Sequence, residues 1–409
     1  MMKNRYRFIA LFWIASTVGV FAQQLDQLIE TALENNAQLN ALELKVAATK
    51  EGEIQAESWK NTSISSALFI SEPETRTGPQ KFQLSASQPI PAFGRITART
   101  AYAKSLTDIS YQEWVIAKRK LILEVAQLYY NYQVLIRQSA LIEKHLKRLD
   151  QYISIATTKV TTGEASAVDV FQLKMRKEDY QNNYLQIQKS FDVIASALKA
   201  TLNTNTELNI KEDSSFTIHS TSLDLDKYQL EIHPELIQYD LLFESVAKER
   251  DLNDKERLPG IGVGLNYINV ANRIDLNPID NGKDIVAPML SLSLPIFNKT
   301  YQSKERQLSI KEKQVEQQKI DRANQLQQQL DHAIALSEKA LIDFNSQNKN
   351  LNLAHQSMEL VLAAFQTNAK GIEKLLDIQQ VEFNYEFKKI AAIGNYFQGR
   401  LQLEYLVKQ

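Results

Sequence analysis

The side chains able to carry chemistry are sparse and poorly spaced for catalysis. The five histidines, His145, His219, His233, His332 and His355, show no metal-ligand spacing. There is no cysteine, so the chain offers no thiolate metal site, thiol nucleophile or disulfide. No Gly-x-Ser-x-Gly, P-loop or His-Glu-x-x-His occurs. Gly260-Ile-Gly262-Val-Gly264 has the glycines of a nucleotide loop, but it lies inside an alternating pattern and opens no helix, so it reads as strand. The acid pairs fall on solvated helix faces. No catalytic residue, cofactor or metal is expected, and an enzyme is the least favoured class.

Charge narrows the partners. Lys plus Arg number 47 against 48 Asp plus Glu, which leaves no basic field for nucleic acid. Lys3, Arg5 and Arg7 precede an apolar run from Phe8 to Phe21 that is short for a bilayer span, and Val20-Phe21-Ala22 resembles a small-residue cleavage site. Residues 1–22 are therefore expected to be a secretory signal, with the mature chain starting near Gln23. The missing cysteine also rules out lipoprotein acylation.

The elements that must position everything else are two long heptad seams. Leu121, Val125, Leu128, Tyr132, Leu135, Ser139, Ile142, Leu146, Leu149, Ile153 and Ala156 follow alternating steps of four and three. No Pro or Gly interrupts the chain between Gly94 and Gly163. A helix of about 60 residues spans roughly 90 Å, far beyond a globular helix. A second seam runs through Leu326, Leu330, Ala333, Ser337, Ala340, Phe344, Gln347, Leu351, Ala354, Met358, Val361 and Phe365. Two such segments indicate an internal duplication.

The flanking segments repeat as well. A helix over 25–59 is followed by a β-hairpin at 61–90, then by Pro91-Ala-Phe-Gly94, the long helix, a break at Gly163, and a return helix over 165–202. A helix from His233-Pro to about Leu258 is followed by a hairpin at 260–296, then by Pro295-Ile-Phe-Asn298, the second long helix, a break at Gly371, and a last helix. Gly163 precedes Asp169 by the same six residues that separate Gly371 from Asp377. The expected organisation is a first repeat at 23–203, a polar linker at 204–225 and a second repeat at 226–409.

The hairpin strands, of about 9 to 11 residues, have the length that crosses a bilayer at a tilt, and they alternate apolar residues with Ser, Gly, Asn or Gln. Four strands cannot close alone, because open edges in hydrocarbon cost several kcal/mol per unsatisfied group. Three copies would supply twelve strands and two would supply eight, whose lumen side chains fill, so a trimer is the smallest assembly with an open path. Two ordinary hairpins capping a soluble helical bundle is the competing architecture.

The duplicated strand-Pro-x-Phe-x-helix junctions at Pro91 and Pro295, with the duplicated Gly-x5-Asp tips at Gly163 and Gly371, resemble the TolC family of outer-membrane efflux proteins over essentially the whole mature chain. The resemblance implies a mainly α fold of long coiled-coil helical hairpins with a small transmembrane β part, four strands per subunit. It implies a homotrimer with a 12-stranded barrel in outer-membrane lipid and a periplasmic α-helical tunnel. It also implies passive conduction on docking with a periplasmic adaptor and an inner-membrane pump, with Gly163 and Gly371 at the adaptor-contacting tips. A soluble periplasmic scaffold or adaptor is the alternative, although adaptors carry Gly-rich β modules that this chain lacks.

By the same resemblance Asp377 corresponds to one of the acidic residues ringing the closed aperture, where three carboxylates would attract cations and repel anions. The plainer reading is an exposed acid favoured by the helix macrodipole. Where the family's best-studied member has a second acid, this chain has Gln380. The Tyr and Arg of that member's latch correspond to Asn368 and Glu373, while the Tyr's partner is retained as Asp169. Pro91, Gly94, Pro295 and Asn298 would mark the barrel-to-helix junctions.

Overall fold

A computed structural model describes residues 22–218, 233–276, 278–366 and 372–407. The expected signal segment lies outside these residues up to position 21; so do residues 219–225 of the expected linker, Asn368 and Gly371.

The element order is α1 (Ala22–Asn35), α2 (Ala37–Glu57), β1 (Ser63–Leu68), β2 (Glu74–Thr75), β3 (Gly78–Ile90), α3 (Arg95–Thr161), α4 (Ala167–Thr201), α5 (Pro234–Glu256), β4 (Gly260–Val270), β5 (Ile285–Ser293), α6 (Thr300–Gln366) and α7 (Ile372–Val407). The two long helices are each 67 residues. Among the described residues no helix is long and apolar enough to cross a membrane.

The chain forms two compact units. One takes the described parts of 1–41, 115–233 and 323–409; the other takes 42–114 and 234–322. In the first, the heptad positions become the core. Ile142, Leu149 and Ala156 of α3 pack with Leu173, Tyr180 and Ile187 of α4, Met358 and Phe365 of α6, and Leu375, Leu376 and Phe383 of α7. On α6 every seam position from Leu326 to Ala340 is buried, as the 3.5-residue period requires.

Two glycines let α7 approach closely. A Cβ on Gly399 would sit 3.1 Å from the Ala333 carbonyl oxygen and 2.2 Å from Ser337 Oγ, and one on Gly394 would sit 2.6 Å from Val134 Cγ2.

Two expectations need correction in detail. The helix over 25–59 is two helices, because Asn36 interrupts it: its Oδ1 accepts from Leu39 N–H at 3.0 Å, capping α2, and its Nδ2 donates to the Thr201 carbonyl. The first half of the expected linker is a strap bound to α3. Gln133 exchanges hydrogen bonds with the backbone at Lys211 and Asp213, Tyr129 Oη donates to Asp213 Oδ2, and fully buried Phe216 stacks on Tyr130. Burial and the Asp213 carboxylate raise the Tyr129 pKa, so its phenol stays a donor. Within the hairpin expected at 260–296, β5 runs on through Pro288, from Ile285 to Ser293, where a proline usually breaks a strand, because Pro is tolerated on an edge strand.

The second unit carries an antiparallel sheet ordered β1-β3-β4-β5, with short β2 paired to β3. The hairpins of the two repeats meet at β3 and β4, in register from Ile90↔Ile261 to Phe82↔Asn269. The other sides of β1 and β5 have no strand beside them among the described residues.

Candidate channel elements

Directly paired residues share a face of an antiparallel sheet, so the register decides what each face presents. One face carries Ile64 and Leu68 of β1, Leu84 of β3, Ile261, Val263 and Leu265 of β4, and Val286, Leu290 and Leu292 of β5. All nine are exposed, Leu290 at 78%. The opposite face carries Ser63, Ser65, Ser85, Ser87, Gly262, Gly264, Asn266, Ser291 and Ser293. Gly262 and Gly264 sit where a Cβ would come within 2.5 Å of Ser291 Oγ and 2.9 Å of the Ala86 carbonyl oxygen. This confirms the strand reading of the Gly-x-Gly-x-Gly run.

The two strand-to-helix junctions beside the sheet start their long helices by different devices. Gly94 adopts a φ of +76°, which a side chain rarely takes, and turns the chain into α3. Asn298 Oδ1 accepts from Thr300 N–H at 2.8 Å and caps the start of α6. Arg99 donates to the Ala56 and Ser58 carbonyls at the end of α2, and Arg95 donates to the Leu258 carbonyl beyond α5. One helix thus satisfies the orphan carbonyls of two others. Pro91, Pro295 and Asn298 line a cavity of about 490 Å³ here. The Phe of each Pro-x-Phe repeat, Phe93 and Phe297, is 98% exposed. Sequence reasoning used these phenylalanines only as repeat markers.

In the other unit, α3 ends in a Schellman motif. Gly163 lies at φ +77°, Glu164 N–H reaches the Lys159 carbonyl at 2.8 Å, and Gly163 N–H reaches that of Val160. Ser166 then caps α4, accepting from Val168 N–H, while its own N–H reaches Asp169 Oδ2 at 3.4 Å. Asp169 therefore serves a capping box within its own chain. Gln380 Oε1 accepts from Arg176 Nη1 at 2.5 Å, joining α7 to α4. Glu373 is the acid in the first turn of α7, and it is exposed. Asp377, one turn further on, has a side chain 69% exposed and lies 3.5 Å from Lys374 Nζ. The proposed partners Asn368 and Gly371 fall outside the described residues.

A polar cluster that spacing in the sequence did not reveal is set into the core of this unit. Glu382 and Glu386 lie one turn apart on α7. Glu386 is 2.7 Å from Lys144 Nζ and 2.8 Å from Nε2 of His145, which is fully buried. Glu382 pairs with Arg148, and its other oxygen is 3.2 Å from His355 Nε2 of α6. Burial works to raise the Glu386 pKa, but hydrogen bonds and charge from His145 and Lys144 outweigh it and hold the carboxyl at about 2. These acids are not on a solvated face. The signal that could have found them is the i, i+4 spacing of two glutamates beside Phe383 and Phe387, an apolar stripe.

Comparison with known proteins agrees with this geometry. Residues 28–204 match the family model described as outer membrane efflux protein. No curated protein matches the sequence. Among solved structures, CusC superposes with a TM-score of 0.78 at 17% identity, covering 94% of this chain and 92% of that one. The outer membrane protein VceC from Vibrio cholerae gives 0.76 at 16% identity, over 94% and 96% of the two chains. The open-state MtrE outer membrane channel of Neisseria gonorrhoeae gives 0.72 at 16%, over 94% and 88%. Residues 28–204 thus resemble the outer membrane efflux proteins, and nearly the whole chain has the fold of solved outer-membrane channels.

Proposed function

We propose that this protein is the outer-membrane channel of a tripartite efflux or export system, a passive conduit from periplasm to exterior. The observation that carries the reading is the two-faced sheet: nine exposed large apolar side chains on one side, and on the other mainly Ser, Gly and Asn with Met289, Ile268 and Ile285 among them. Such a face left in water forgoes roughly 1.5 to 3 kcal/mol for each large aliphatic side chain that could be buried. Lipid against that face removes the cost, and Phe93 and Phe297 fit the aromatic girdle at a membrane boundary. A soluble scaffold would leave the face in water.

Three copies, joined through the free sides of β1 and β5, would give the twelve-stranded barrel and leave no edge in hydrocarbon. The helices would line a periplasmic tunnel. The chain would be exported behind a cleaved signal at 1–22 and would dock with a periplasmic adaptor and an inner-membrane pump near Gly163 and Gly371. Asp377 would form the aperture ring. Its place beyond the first turn of α7, where the macrodipole effect has faded, supports this reading over simple helix stabilisation, for which Glu373 is better placed. Asp169, Asn368, Glu373 and Gln380 would surround the gate, with Gln380 held by Arg176 in place of a second acidic ring.

The test is the mass of the detergent-extracted mature protein from fractionated membranes, by light scattering with the detergent contribution subtracted. A trimer from the outer-membrane fraction supports the channel, and single-channel recording then compares wild type with Asp377→Asn, which should lower cation preference. A monomer found soluble in the periplasm overturns the reading.

A further inference from the structure

The cluster on α7 has a use beyond packing. His355 of α6 with Glu382 and Glu386 of α7 presents one imidazole nitrogen and two carboxylate oxygens that all lie within 4.8 Å of one another. We propose that these three residues bind one divalent transition-metal ion of the zinc type, tying α6 to α7.

The donor set selects the class of ion. Imidazole with carboxylate suits zinc and its first-row neighbours, whereas magnesium and calcium favour all-oxygen shells. Tetrahedral bonds of about 2.1 Å place donors about 3.4 Å apart. The His355 to Glu382 pair is already at 3.2 Å, so side-chain adjustment at Glu386 completes the triangle.

The surrounding residues behave as an outer shell. Glu382 is oriented by Arg148 and Glu386 by Lys144 and His145, as ligating carboxylates are in metal sites. A carboxylate oxygen that accepts one hydrogen bond keeps a lone pair for an ion. The two cations nearby, Lys144 and Arg148, limit affinity.

A second observation points the same way. Gln379, one turn before Glu382 on the same face, is 1% exposed, and both its amide oxygen and its nitrogen are buried without a partner. Such an amide is costly beside an apolar core, and it marks this level of α7 as one where a polar ligand would be accommodated.

This inference does not rest on the channel reading. The experiment is calorimetric titration of the detergent-solubilised full-length mature protein with Zn2+, with Co2+ absorption as a report on coordination. One ion per chain is expected, with His355→Ala weakening binding at least tenfold and abolishing the cobalt spectrum. His355 is 47% exposed, so its truncation spares the core, and circular dichroism checks the fold. His332→Ala, at an exposed site on α6, should bind as wild type does. Glu382→Gln and Glu386→Gln should each weaken binding as well. No saturable binding by the wild type, or equal binding by His355→Ala, overturns the proposal.

Discussion

Leu290→Arg and Ser291→Arg place the same charge on adjacent residues of one strand, at one depth and on opposite faces. Leu290 pairs with Val263 on the apolar side and is 78% exposed; Ser291 pairs with Gly262 on the polar side and is also exposed. If the apolar face meets lipid, Arg at 290 should cost about 2 to 4 kcal/mol near the bilayer midplane. That is about a 30- to 700-fold loss in the folded-to-unfolded ratio. Arg at 291 would point into water in the lumen and should stay within about 0.5 kcal/mol of wild type. Guanidinium unfolding of vesicle-reconstituted protein measures both, and the yield of folded protein in the outer membrane gives a cellular readout. Equal costs, or the larger cost at 291, would refute the assignment of faces and with it the lipid-facing sheet.

Further perturbations probe other parts of the molecule. Gly399→Val should destabilise by about 1 to 3 kcal/mol, because its side chain would collide with Ser337 and the Ala333 carbonyl, whereas Gly52→Ala, with nothing within 4 Å, should stabilise by about 0.5 to 1 kcal/mol. Thermal melts of both variants would separate close packing from intrinsic helix propensity. Gly163→Val should lower stability by at least about 1 kcal/mol through the forced positive φ, and protease nicking near 163 should increase. Glu386 has a folded pKa of about 2, below its unfolded value of about 4.3, so the stability it contributes is present above that value and is lost as pH falls towards 2. That contribution is on the order of 3 kcal/mol, and unfolding curves between pH 2 and 6 should be flatter in Glu386→Gln.

The sequence by itself determined the type of nearly every element. An unbroken 3.5-residue period has one comfortable backbone state, and two 67-residue helices follow from it. Period-two alternation bounded by Pro and Gly fixed the hairpins, and Gly163 stopped α3 because only glycine holds φ +77° cheaply. Asn36 was less legible, since it sits inside a helical stretch and caps α2 by accepting from Leu39 N–H while its amide nitrogen binds the distant Thr201 carbonyl.

What only tertiary structure decided concerns which distant residues meet. Pairing of β3 with β4 merges the two repeats into one sheet, and register alone gathers nine apolar residues from four strands on one face. Strand alternation says that a residue faces one way or the other, never which neighbours share that side. In the same way His145, His355, Glu382 and Glu386 come from three helices and are separated by up to 241 residues. No spacing along a chain encodes that meeting. Helix packing in the core produces it, and the low dielectric there turns four ordinary surface-type residues into a coupled polar cluster.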